Sequence, residues 1–70
     1  MKNLYLLMLL TLTVGDCALL VGGVFKGQYW IVTAVNEGGT FDIYQSGSTL
    51  KNVRGSYLEK VQDEKCREVR

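Results

Sequence analysis

Residues 29–45 read Tyr29-Trp30-Ile31-Val32-Thr33-Ala34-Val35-Asn36-Glu37-Gly38-Gly39-Thr40-Phe41-Asp42-Ile43-Tyr44-Gln45. The first eight are rich in β-branched and aromatic side chains, which fit a pleated, half-buried surface. Glu37-Gly38-Gly39 interrupts them, and glycine supplies the positive φ that tight hairpin turns require. The chain then alternates, with Phe41 and Ile43 on one face and Asp42 and Tyr44 on the other. That period of two defines a strand. The stretch predicts a β-hairpin with strands over 29–36 and 40–45.

The same signals continue on both sides. Toward the C-terminus, Ser46-Gly47-Ser48 reads as a turn and residues 50–53 as a strand. Arg54-Gly55-Ser56 reads as a single 3₁₀ turn, and residues 57–61 as a strand returning to close the structure. Toward the N-terminus, residues 16–21 form a first strand, ended by Gly22-Gly23. Five short strands at such close spacing predict a small all-β barrel. Residues 62–70 are polar and mixed in charge. They are expected to be a charged flexible tail, a frayed helix or disordered.

Composition agrees. Seventy residues make one domain with a thin core, since a chain this short buries only about 60 % of its unfolded surface. Apolar residues make up 47 % of the chain, too many for a disordered protein. Proline and histidine are both missing, which excludes histidine-based general base catalysis and histidine-ligated metal. No carboxylate pair, nucleophile–base set or phosphate loop appears, so an enzyme is not expected. Neither a cofactor nor a metal is expected. The net charge is only +1, whereas proteins that hold nucleic acid through phosphates carry a strong basic excess. Weak or no direct binding to nucleic acid follows, and a protein partner is the expectation.

Cys17 and Cys66 stand far apart and in no metal-ligand spacing. Two reduced thiols in a reducing compartment are expected, with a Cys17–Cys66 bridge as the alternative. The run Leu4 to Leu10 follows one lysine and resembles the apolar region of a signal peptide. It is too short to cross a bilayer, which takes about 20 apolar residues. Asp16 precedes Cys17 where lipoprotein processing needs a small uncharged residue. Residues 1–13 are therefore read as an apolar arm that packs on the barrel or pairs with its edge. A signal or anchor, and a partner-binding arm, are the alternatives.

Residues Gly15-Asp16-Cys17-Ala18-Leu19-Leu20-Val21-Gly22-Gly23-Val24-Phe25-Lys26-Gly27-Gln28-Tyr29-Trp30-Ile31-Val32 resemble a KOW motif. This is the loop-and-two-strand signature of the C-terminal domain of NusG-type transcription factors and of some ribosomal proteins. Gly15 and Asp16 match its opening pair, and Gly23, Phe25, Lys26 and Gly27 fall at its offsets. Ile31, Val32 and Val35 supply the apolar residues of its second strand, and Ser56 to Val61 resemble the close of such a domain. Two positions depart from the pattern. Trp30 replaces the last motif glycine, and Ala18 stands where a larger β-branched residue is usual. Trp30 either fills core space or is an exposed anchor.

The resemblance implies a five-stranded SH3-like barrel of KOW or Tudor type over residues 14–61. It places the chain in the transcription and translation machinery. Ribosomal members are strongly basic and this chain is not, so the NusG-type role of docking proteins is the nearer one. The domain by which such factors grip RNA polymerase has no counterpart in these residues. The expectation is a small, monomeric, stand-alone transcription regulator of the kind phages encode, in the bacterial cytoplasm. It would bind RNA polymerase or its elongation complex and alter initiation or termination. An RNA- or ribosome-associated KOW protein and a secreted or envelope SH3-like module are the alternatives. The expected partner-binding patch is Phe25, Lys26, Tyr29, Trp30, Tyr44 and Arg54, because aromatic residues and arginine lead binding hot spots.

Overall fold

The computed structural model describes residues 12–70. Of the expected arm, all but Leu12 and Thr13 lies outside the described residues. Five strands form: β1 (Cys17–Leu20), β2 (Tyr29–Asn36), β3 (Thr40–Gln45), β4 (Ser48–Arg54) and β5 (Leu58–Val61). They make one antiparallel sheet in the order β4-β3-β2-β1-β5. All five expected strands are present within a few residues of their expected bounds. The largest difference is at β4, which starts at Ser48 because Ser46 and Gly47 alone make the turn, with φ of 44° and 91°. Two successive positive φ values give a two-residue hairpin whose twist matches its strands, and Gln45 pairs directly with Ser48. A 3₁₀ turn at Gly55–Tyr57 occupies nearly the place expected for it.

Alternation along β1 and β2 divides the interior in two. Ala18, Leu20, Trp30 and Val32 face one way and join Leu12, Phe41, Ile43 and Leu58 in the main core. Cys17 and Ile31 face the other way, where Cys66 covers them and Tyr29, Val61 and Val69 pack alongside. The expectation of a free, flexible tail is corrected by this second cluster. Asp63–Cys66 is a 3₁₀ turn with Cys66 buried, and the Ser46 amide donates to the Val69 carbonyl at 2.9 Å. Charge alone made the segment look solvated, yet its two apolar positions, Cys66 and Val69, are enough to seat it on the outer face of β1 and β2.

The expectation of two separate thiols is corrected as well. Cys17 and Cys66 are joined in a disulfide, with their Cα atoms 5.8 Å apart. The Cys66 sulfur also lies 3.2 Å from the Trp30 carbonyl. The return of the tail across β1 is what brings together residues 49 positions apart.

Asp16 caps the turn that leads into β1. Its Oδ2 accepts hydrogen bonds from the Thr13 amide at 2.9 Å and the Thr13 hydroxyl at 3.2 Å, closing the turn into β1. Lys60 on the neighbouring β5 reaches the same oxygen at 3.6 Å. A second carboxylate organises the far end of the sheet. Asp42 Oδ1 accepts from Asn36 Nδ2 at 2.9 Å and from the Asn52 amide at 3.0 Å. It thereby holds Asn52 at its positive φ of 59°, at the register shift between β3 and β4.

The Asn36 side chain and the Asn52 amide, as donors, hold the Asp42 carboxyl below its ordinary value, and nearby Lys51 adds to this. A carboxyl depressed in the folded state adds stability at pH above its unfolded value, and that stability is lost as pH falls through the folded value. Asp42→Asn is therefore expected to flatten the acid limb of the stability profile below the ordinary carboxylate range. Melting followed by circular dichroism from pH 7 down to about 2 checks this. An acid limb equally steep in the variant would show that Asp42 does not contribute.

Candidate functional site

The loop between β1 and β2 is built to project. Its base is clamped where the Leu20 amide donates to the Gln28 carbonyl at 2.9 Å and the Gly27 amide to the Leu20 carbonyl at 2.7 Å. Gly23 and Gly27 turn the chain with φ of 85° and 93°, values that side chains with a Cβ rarely adopt. Between them Val24 and Phe25 stand outward. Val24 is 92 % exposed and Phe25 46 %.

Opposite the loop lies Tyr57. The Val21 amide donates to the Tyr57 carbonyl at 2.8 Å, which ties the 3₁₀ turn to the loop. The Tyr57 ring then lies flat over Gly22, where an added Cβ would stand only 3.1 Å from it. A larger residue at position 22 would push the ring away. Between the loop and β4 runs an open groove of about 320 Å³. Its walls are Leu20, Val24 and Phe25 on one side and Leu50, Val53 and Tyr57 on the other, with Arg54 and Asn52 as its polar members. Val24, Phe25 and Tyr57 are all large apolar residues that line it and are left exposed. A soluble surface seldom gathers so many in one place without an interaction to serve.

The six residues expected as a patch divide into three groups. Phe25 and Arg54 line the groove, and Lys26 is exposed on the same loop. Trp30 is 2 % exposed, which corrects its reading as a surface anchor. It belongs to the main core, and the Phe25 ring meets it edge-on at a centroid distance of 6.3 Å. Phe25 thus links the groove to the core. Tyr29 faces the opposite side of β2, against the tail cluster. Tyr44 lies on β3 between Ile31 and Thr49, and it does not line the groove. Val24, Leu50 and Val53 were not singled out from sequence, because aliphatic residues in or beside a strand read as core. Tyr57 carried a signal, as a tyrosine following a turn at the start of an expected strand.

Among the described residues no three Cys, Asp or Glu side chains come together as a metal ion would require. Among the same residues no helix is long and apolar enough to cross a membrane. No family model matches this chain, and no curated protein or solved structure matches it either.

Proposed function

We propose that this chain is a protein-docking module, an SH3-like barrel of KOW type. As a small transcription regulator it engages RNA polymerase or its elongation complex through the groove beside the β1–β2 loop. The observation that carries the docking reading is the outward display of Val24, Phe25 and Tyr57 around an apolar groove. An apolar rim held on a clamped loop loses little conformational entropy on binding. The strand order, with β1 between β2 and β5, and the 3₁₀ turn before β5 support the SH3-like class. The KOW-like loop residues supply the link to transcription, which is an argument by analogy of motif.

The test is binding of the purified chain to bacterial RNA polymerase, as core enzyme and as a stalled elongation complex. Wild type is expected to bind. Val24→Asp is expected to weaken binding by roughly 2 kcal/mol, about thirtyfold. Its melting temperature should not change, since Val24 packs against almost nothing. A wild-type chain that binds neither form of the polymerase overturns the transcription reading.

A further inference from the structure

We propose that the groove takes an extended, apolar segment of its partner protein that carries carboxylates where it passes Arg54. This deepens the docking reading and rests on it. The argument begins with charge. The groove is framed by two segments, residues 21–28 and 48–57. They hold Lys26, Lys51 and Arg54, three of the eight basic residues, and none of the seven acidic ones. The frame therefore carries +3, and the rest of the chain, with five basic and seven acidic residues, carries −2. Lys26 and Lys51 stand beside the groove rather than in its lining, and Asp42, bonded to the Asn52 amide, lies next to Lys51, so the cation inside the groove is Arg54.

Arg54 is the charged residue of the groove lining. Among the described residues the one ion pair is Lys60 with Asp16, so Arg54 has no carboxylate partner among them. A guanidinium beside an apolar wall is ready for a carboxylate, which it can hold by two parallel hydrogen bonds. The lining elsewhere is aliphatic and aromatic: Leu20, Val24, Phe25, Leu50, Val53 and Tyr57. The occupant is thus apolar along most of its length and acidic at one point.

Its shape follows from β4. Among the described residues this strand lies at the edge of the sheet and pairs only with β3. Leu50, Asn52, Val53 and Arg54 of β4 form one wall of the groove. A segment laid there in extended form can add main-chain hydrogen bonds to the strand while alternate side chains enter the apolar walls. Single-stranded RNA would also find cations and two exposed rings. However, Val24, Leu50 and Val53 offer no π-face for stacking, and three cations neutralise few phosphates.

The experiment uses fluorescent peptides of about ten residues, alternating leucine with aspartate, with asparagine or with lysine, beside an oligouridylate of about the same length. Wild type is expected to bind the leucine–aspartate peptide about tenfold more tightly than the leucine–asparagine one. Arg54→Gln is expected to abolish that difference, and Arg54→Glu to shift preference to the lysine peptide. Arg54 is exposed, so both variants should melt with wild type, and a melting curve of each confirms that they are folded. Equal wild-type affinity for the aspartate and asparagine peptides overturns the proposal. So does an undiminished difference in Arg54→Gln, or tighter binding of the oligouridylate. Polymerase binding that depends on Val24 yet ignores Arg54 overturns this inference and leaves the docking reading standing. The peptide preference without any polymerase binding overturns the transcription reading alone.

Discussion

Trp30→Ala is expected to remove most of the stability of the domain, a loss of about 3–5 kcal/mol. The indole is 2 % exposed and lies in the main core with Ala18, Leu20, Val32 and Ile43. For a chain of this length total stability is about 4–10 kcal/mol, so the loss is comparable to the whole. Urea denaturation reads it directly, as a midpoint shift. Binding to any partner would then fail through unfolding, whereas Val24→Asp is expected to leave a folded protein that binds about thirtyfold more weakly. Trp30→Phe separates volume from polarity. The Trp30 Nε1 donor is buried and has no hydrogen-bond partner among the described residues, and an unpaired buried donor costs about 1–3 kcal/mol. Phenylalanine removes that donor while retaining most of the apolar ring, so its cost is expected to stay below about 1.5 kcal/mol. A folded Trp30→Ala protein with an unchanged midpoint would contradict the core assignment.

The register explains how a tryptophan fits there. Ala18 on β1 stands directly across from Trp30 on β2, and Ala18 is itself fully buried. The large side chain at position 30 and the small one at position 18 are therefore one feature, since the methyl of Ala18 leaves the space that the indole fills. Cross-strand partners on one face lie close enough for their volumes to trade. Enlarging Ala18 without changing Trp30 would overpack the same space.

Breaking the Cys17–Cys66 bridge is expected to cost about 4 kcal/mol on the chain-entropy account, because the bridge closes a long loop in the unfolded chain. The sequence separation is 49 residues, so the bridge constrains most of the domain. Cys66→Ser removes the link and also puts a hydroxyl among Cys17, Ile31 and the flanking Tyr29, Val61 and Val69. Reduction with dithiothreitol removes the link alone. Reduction leaves a second weakly polar thiol in the cluster, whereas serine puts a hydroxyl there, so reduction is expected to cost less than the substitution. Urea midpoints with and without reductant, for wild type and Cys66→Ser, measure both effects. Hydrogen exchange should show the Ser46 amide losing the protection that the Val69 carbonyl gives it. A midpoint insensitive to reductant, with the thiols shown to be free, would falsify the stabilising role of the bridge.

Much of the site was legible where a residue type is rare or strained in its setting. The Gly23–Gly27 loop with Phe25 and Lys26 stood out because its glycines interrupt an apolar run, and Arg54 because it borders a turn. Leu50 and Val53 were illegible as groove walls. An aliphatic side chain in a strand gives the same period whether it meets a core or an open groove. Tyr29 and Tyr44 drew notice as aromatics, yet register sends them elsewhere.

The sequence by itself determined the five strands, their turns and the hairpin order, because these depend on local rules: alternation, β-branched content and glycine where φ is positive. Tertiary structure alone decided three things. It decided that Trp30 turns inward over Ala18, that the charged tail folds back to cover Cys17, and that loop and edge strand meet at a groove. Each depends on which residues from distant parts of the chain face one another. A period of two assigns residues to alternate faces of a strand and leaves open what covers either face.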